Sequence, residues 1–243
     1  MLTLDRSPPG RQRRSITATA AGLWTPIRSL LASTRGARIR GFSAERFSFN
    51  RPGGRCEVCQ GVGQQRIELE YLTGTEIPCE ACEGRRFDQA TLSVAFKGAT
   101  VHDILQMTVD DARQHFSSQP RILRILTSLS EVGLGYLPLG QTANTLSGGE
   151  GQRIRLAAEL SRATGQALTD LVVVLDEPAA ALHPTDAERI TAALRRLVAR
   201  GATLITVAYQ PGLIAAADHL IVMGSGAGEV GGQIIATGRP HTG

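Results

Sequence analysis

Two C-x-x-C pairs constrain this chain more than any other feature. Cys56-Glu-Val-Cys59 and Cys79-Glu-Ala-Cys82 are separated by 19 residues, and all four cysteines of the 243-residue chain fall within 27 residues. Each pair is followed by a glycine, in CEVCQGVG and CEACEGRR, so the backbone can turn there and bring its amides toward the sulfurs. Four thiolates at this spacing suit a closed tetrahedral zinc site. Such a site has no open coordination position, which makes it structural rather than catalytic. The segment between the pairs is too short to bury a core of its own, so metal binding would supply the folding energy. Cys56, Cys59, Cys79 and Cys82 are therefore the candidate zinc ligands. The competing reading is a redox pair or four unrelated thiols.

The rest of the chain reads as a folded α/β protein. Hydrophobic residues make up 42% of it, and no apolar run approaches the roughly 20 residues of a membrane span. The opening MLTLDRSPPGRQRRS lacks the apolar core of a secretory signal, so a cytoplasmic location is expected and disulfides are the less favoured use of the cysteines. The net charge of +4 is small, but residues 1–55 carry eleven arginines against Asp5 and Glu45. Arg35, Arg38, Arg40, Arg46, Arg51 and Arg55 crowd the entry to the cysteine pairs, with Lys97 beyond. They are candidates for sequence-independent DNA phosphate contact. Phe47, Phe49 and Phe87 are candidates either for stacking on bases or for the core.

Residues 1–20 read as loop, 22–34 as a short helix opened by Thr25-Pro26, and 65–72 as a strand turning at Thr73-Gly74-Thr75. Helices are expected over 101–116, 120–132, 149–163, 185–200 and 211–217. Buried strands are expected over 171–175 and 203–207, with further strands at 219–223 and 233–236. Strand–helix alternation in the last third predicts a parallel sheet.

Two stretches carry nucleotide chemistry. In TLSGGEGQRIR, Ser147-Gly148-Gly149 stands before an amphipathic helix, where free amides and the positive dipole end can receive an anion. In LVVVLDEP, an apolar strand ends on Asp176 and Glu177. An Asp so placed can hold Mg²⁺ through water, and a Glu can orient or deprotonate an attacking water. The plainer alternative for both is a helix N-cap.

LSGGEGQR, VVVLDEP and the strand 203–207 resemble the second half of an ABC-type ATPase. The cysteine frame narrows the likeness. GRCEVCQG, CEACEGRRF, TVHDILQMTVDDA and VGLGYLPLGQTANTLSGGEGQRIRLAAEL resemble the UvrA family, the damage-recognition subunits of bacterial nucleotide excision repair, as do Ser7-Pro8-Pro9-Gly10 and RFSFNRPGGRC. The resemblance runs from about residue 3 to residue 240, against roughly the last quarter of that longer protein. It implies the C-terminal half of an ABC-type ATPase domain, with an inserted helical signature domain carrying a small four-cysteine zinc module. The implied division is 1–8 as a remnant of the ATP-binding core, 9–145 as signature domain with zinc module at about 53–88, and 146–243 as the ATPase C-terminal part. Ser147, Gly148, Gly149 and Glu150 would face a nucleotide held by an opposing ATPase half. Asp176 would be the Mg²⁺-side acid and Glu177 the catalytic base. Structural zinc, with ATP and Mg²⁺ at a composite site, are the implied cofactors. DNA, a UvrA-like partner or a second copy, and a UvrB-like protein are the implied partners.

The chain departs from the family pattern at the nucleotide. No G-x-x-x-x-G-K-[ST] phosphate loop occurs in its 243 residues; in the family that loop precedes the stretch corresponding to residue 1. Arg6 replaces the Q-loop glutamine, Ala179-Ala180-Ala181-Leu182-His183 replaces Thr-Thr-Gly-Leu-His, and Tyr209 replaces the switch histidine. Three functions fit this pattern: a UvrA-like ATPase half that borrows a phosphate loop, a zinc-stabilised DNA- or partner-binding protein without turnover, and the ATPase subunit of a transporter. The cysteines speak against the last.

Overall fold

A computed structural model describes residues 2–4, 14–69, 72–162, 168–169, 171–180, 182–224 and 232–240. The Asp5-Arg6 and Ser7–Gly10 positions and Ala181 lie outside the described residues. The chain divides into two compact units, one of residues 1–6 and 163–243, the other of residues 7–162.

Strand β1 (Leu2–Leu4) belongs to the first unit. The second opens with helices α1 (Thr17–Ala20), α2 (Trp24–Ser33) and α3 (Arg35–Ile39). The sequence reading put loop at residues 1–20; β1 and α1 correct it, because pairing with distant partners (Thr17 N to Gln141 O, 2.9 Å) orders a segment of weak local propensity. A 3₁₀ turn, Ala44–Phe47, leads to the hairpin β2 (Gln64–Leu69) and β3 (Leu72–Pro78). Thr73, Gly74 and Thr75 lie within β3 rather than in the turn, with Thr73 paired to Glu68 and Thr75 to Ile67.

Helix α4 (Gln89–Leu92) and the two-residue strands β4 (Ala95–Phe96) and β5 (Ala99–Thr100) follow. The single helix expected over 101–116 is two, α5 (Val101–Gln106) and α6 (Val109–His115). The break has a local cause. Thr100 with Asp103, and Thr108 with Asp111, each form a capping box, so a second helix starts where the first would have continued. Helix α7 (Pro120–Glu131) buries Ile122, Leu126 and Leu129 at helical spacing. Helix α8 (Gly148–Arg162) packs on α7 and α1. It therefore belongs to the unit of residues 7–162, whereas the sequence reading placed the division before it, at 145/146. Phe47, Phe49, Phe87, Phe116, Ile27 and Leu129 are among the fully buried side chains of this unit.

In the other unit, β6 (Val172–Asp176) runs parallel between β1 and β7 (Thr203–Val207), with Val173 opposite Leu2 on one side and Leu204 on the other. The crossover α9 (Pro184–Ala199) buries Ile190, Ala193, Leu194 and Leu197, the i, i+3, i+4, i+7 stripe of a helix lying on a sheet. Helix α10 (Pro211–Ala215) leads to the antiparallel pair β8 (Leu220–Met223) and β9 (Ile234–Gly238). The sequence reading expected β7 to be buried. Instead Ile205 is 55% and Val207 50% exposed: with Thr203 they share the face of β7 that no described residue covers, while Leu204 and Thr206 point the other way.

Candidate zinc centre and signature site

The two cysteine pairs flank the β2–β3 hairpin at its open end, where the pairing of Gln64 with Pro78 brings them together. All four are buried, and their Sγ atoms lie within 4.8 Å of one another. Cys59 Sγ and Cys82 Sγ are 3.7 Å apart, close to the edge of about 3.8 Å that a tetrahedron with 2.3 Å metal–sulfur bonds would have. The two halves follow one local path. Gln60 and Glu83 have φ of 51° and 50°, Gly61 and Gly84 have 80° and 78°, and Gly63 and Arg86 have 81° and 68°. In each half the amide two residues beyond the second cysteine donates back to the first, Gly61 N to Cys56 O (3.1 Å) and Gly84 N to Cys79 O (3.4 Å). Glycine is required at position 61, where a Cβ would lie 2.3 Å from Phe49 O. Gly63 N donates to Cys59 Sγ at 3.2 Å.

Burial pushes the Cys59 and Cys82 thiols up, Cys82 to about 12. At Cys79 burial pushes the same way but is outweighed by the amides of Cys82 and Ala81, which pull it down. The guanidinium of Arg86 is close enough to favour charge on both Cys59 and Cys82, and its Nη2 is fixed by Gly140 O at 3.4 Å. Four buried sulfurs at tetrahedral separation, amides directed at sulfur and a neighbouring cation fit a divalent ion held as a tetrathiolate.

The signature stretch is ordered by its own hydrogen bonds. Ser147 precedes α8 and Glu150 sits at its third position. Ser147 N and Oγ donate to Glu150 Oε2 at 2.8 and 3.0 Å, and Glu150 N donates to Ser147 Oγ at 3.2 Å. This is a capping box. Tyr136 OH donates to the other carboxylate oxygen at 2.5 Å. Burial alone would raise the Glu150 carboxyl, but the bonds from Tyr136 and Ser147, with Arg153 nearby, hold it below the usual range. Arg153 is buried and donates to Gly149 O, Val132 O and Gly133 O, tying α8 to the end of α7. Tyr136 and Arg153 lie inside the stretches that carry the resemblance, but their roles as partner and tether of the signature were not legible there. A side chain at Gly149 would meet nothing within 4 Å. Packing within this chain does not require that glycine, so its bare backbone is free for something outside.

Asp176 ends β6 at the carboxyl edge of the parallel sheet. Glu177 follows in a left-handed conformation, φ 43°, with its amide donating to Val207 O at 2.8 Å. A non-glycine residue held there costs of order 1–3 kcal/mol. His183 precedes α9 and its Nδ1 lies 2.5 Å from Thr185 Oγ1. Tyr209 is 74% exposed beyond β7. The acids and the signature lie in different units.

The arginine cluster is less uniform than its sequence implied. Arg46 is pinned by Asp88 (2.6 Å) and Thr91 and lies over the Phe42 ring. Arg51 pairs with Glu45, Arg55 with Glu57, and Lys97 reaches His115 O. Arg35, Arg38 and Arg40 are exposed on or beside α3. Phe47, Phe49 and Phe87 are 0–1% exposed, which places all three in the core and removes them as base-stacking platforms. Among the described residues no helix is long and apolar enough to cross a membrane.

No protein-family model matches the chain. It is 46% identical over 242 residues, 99% of its length, to the UvrABC system protein A of Pasteurella multocida and equally to that of Streptococcus pyogenes. It spans 25% of the length of each. In fold it matches the crystal structure of UvrA2 from Deinococcus radiodurans with a TM-score of 0.90 and 47% identity, over 98% of this chain and 29% of that one.

Proposed function

We propose that this chain, UvrA-like in sequence and fold over nearly its whole length, contributes one face of a composite ATP site in DNA excision repair and carries a zinc-stapled surface that meets DNA. The observation that carries the nucleotide half is the signature. Gly149 faces open space at the start of a 15-residue helix, while the 243 residues contain no phosphate loop. A nucleotide held by a second ATPase half, one with a phosphate loop, would meet the amides and dipole end of α8. Ser147 Oγ already donates to Glu150, so contact with a γ-phosphate requires that hydroxyl to turn from carboxylate to phosphate. Asp176 and Glu177 would serve as Mg²⁺-side acid and catalytic base; their place at the end of β6 and the strained φ of Glu177 support that reading. They need a phosphate loop to give them a γ-phosphate to act on.

Cys56, Cys59, Cys79 and Cys82 would hold zinc. When bound, zinc cross-links the ends of the hairpin; it takes no part in phosphate chemistry. Arg35, Arg38 and Arg40 would contact DNA phosphates. A UvrB-like protein and a location in the cytoplasm come from the family alone.

The test is association. In sedimentation velocity with ATP and Mg²⁺, the chain should join a UvrA-like protein that bears an intact phosphate loop, and Ser147→Arg should abolish joining. Equal association without nucleotide, or with Ser147→Arg, would sink the composite-site reading. A second reading, a binding module without turnover, draws on the contrast between the units. The unit of residues 7–162 buries its aromatic core, whereas the other exposes Ile205, Val207, Ile221, Met223, Ile234 and Ile235 by 50–66%.

A further inference from the structure

Three arginines stand beside the cysteine pairs in sequence, and they are not equivalent. Arg55 pairs with Glu57 at 3.2 Å and Arg85 with Glu83 at 2.9 Å. Arg86 has no carboxylate partner among the described residues. Its place is nevertheless fixed from both ends. The backbone is built into the cysteine module, with Arg86 O accepting from Cys56 N at 2.9 Å. The side chain then crosses Gly63, where a Cβ would lie 2.9 Å from Arg86 Cγ. Its guanidinium carbon lies 6.0 Å from the centre of the Phe49 ring, and Nη2 reaches Gly140 O at 3.4 Å. Gly140 N in turn donates to Leu105 O at 2.7 Å, so the far end of Arg86 rests on the body of the unit rather than on the module.

That guanidinium is short of partners. Nη1 is buried without an acceptor, and the bond at Nη2 is long. A guanidinium does not shed its proton in a protein, so a buried one must be answered by negative charge or it destabilises the fold. The groups that feel its charge are Cys59 and Cys82, one from each pair. Their Sγ atoms are 3.7 Å apart, so a single cation serves both. Four thiolates around one divalent ion leave negative charge in excess, whereas four neutral thiols would leave Arg86 unanswered. The arrangement matches the loaded cluster and not the empty one.

We infer that Arg86 is the buried counter-ion of the metal-loaded tetrathiolate, and that its charge rather than its bulk tightens the hold of the four cysteines on zinc. Nothing has to enter from solvent to meet the guanidinium, because the answering charge is that of the cluster itself. The inference rests on the zinc reading of Cys56, Cys59, Cys79 and Cys82.

Lysine and methionine at this position separate charge from bulk, since both keep an unbranched stem and only lysine keeps the cation. The zinc dissociation constant of the full chain is measured by competition with a chromophoric chelator, at fixed pH and ionic strength, for the unsubstituted protein, Arg86→Lys and Arg86→Met. Partners that surround metal ligands are worth about 10–100-fold in affinity, so Arg86→Met should bind zinc at least about tenfold more weakly than Arg86→Lys. Cobalt(II) in place of zinc reports on the ligands, and its thiolate-to-metal charge-transfer band should be the same in all three proteins. Equal affinities for the two variants overturn the counter-ion, even if both fall below the unsubstituted protein, because stem geometry would then be what matters. A cobalt band altered in Arg86→Met overturns it as well, since a ligand would have moved. Failure of the unsubstituted chain to bind zinc overturns the zinc reading and the counter-ion together, whereas tight binding that ignores the charge at residue 86 overturns the counter-ion alone.

Discussion

Single residues in the cysteine centre separate what the metal needs from what the backbone needs. Cys59 supplies a sulfur that also accepts from Gly63 N. Cys59→Ser should bring the zinc content from about one ion per chain to well under half, measured on purified protein, because a neutral hydroxyl does not replace a thiolate. Retention of a full equivalent would show that the sulfurs are not its ligands. Gly61 tests the backbone instead. With φ of 80° and a Cβ that would sit 2.3 Å from Phe49 O, Gly61→Ala should destabilise the module by about 2 kcal/mol or more, read as a lowered melting temperature. Gly149→Ala, where nothing lies within 4 Å, should leave stability unchanged or raised. The motif residues were legible at this scale because their spacing is itself the signal. The roles of Tyr136 and Arg153 were not, since each acts through a neighbour distant in sequence, Glu150 for one and Val132 for the other.

Among the elements, helix α8 links the site to acid stability. The Glu150 carboxyl is held below its ordinary value in the folded chain. A depressed folded value means the cap stabilises above the ordinary carboxyl range, and that contribution is lost as pH falls through the depressed value. Glu150→Gln should therefore destabilise by about 0.5–2 kcal/mol near neutral pH, and the gap from the unsubstituted protein should close on acidification below about pH 4.5. A gap that widened there would contradict the capping geometry. Helix α3 carries the DNA reading. Replacing Arg35, Arg38 and Arg40 with glutamine should lower the salt dependence of DNA binding by about 0.9 in log–log slope for each lost phosphate contact; an unchanged slope would acquit them. Periodicity revealed α7, α8, α9 and the strands β6 and β7. It did not reveal the break between α5 and α6, set by the Thr108 cap, or β1, set by pairing to β6. The fate of Phe47, Phe49 and Phe87 was equally hidden, because an aromatic reads alike in a core and on a stacking face.

For the whole molecule, the 243 residues contain stretches that resemble a signature and an acid pair of a nucleotide site, and no phosphate-loop pattern. The signature is built into the unit of residues 7–162, and Asp176 and Glu177 into the other. The chain spans 25% of its curated relatives. Phosphoryl transfer is mostly positioning and charge stabilisation, which a phosphate loop supplies through its amides and lysine. Two copies of this chain would bring two signatures and no loop. The exposed face of β7, with Ile205 and Val207 half open, was unforeseen because an apolar run signals burial without saying which of its two faces is covered. The most direct measurement is phosphate release from ATP by the purified chain, alone and mixed with a UvrA-like protein bearing an intact phosphate loop. The account predicts no turnover above background alone and a raised rate in the mixture, abolished by Ser147→Arg and nearly unchanged by Glu177→Gln in this chain. Steady turnover by the chain alone, eliminated by Glu177→Gln, would contradict it.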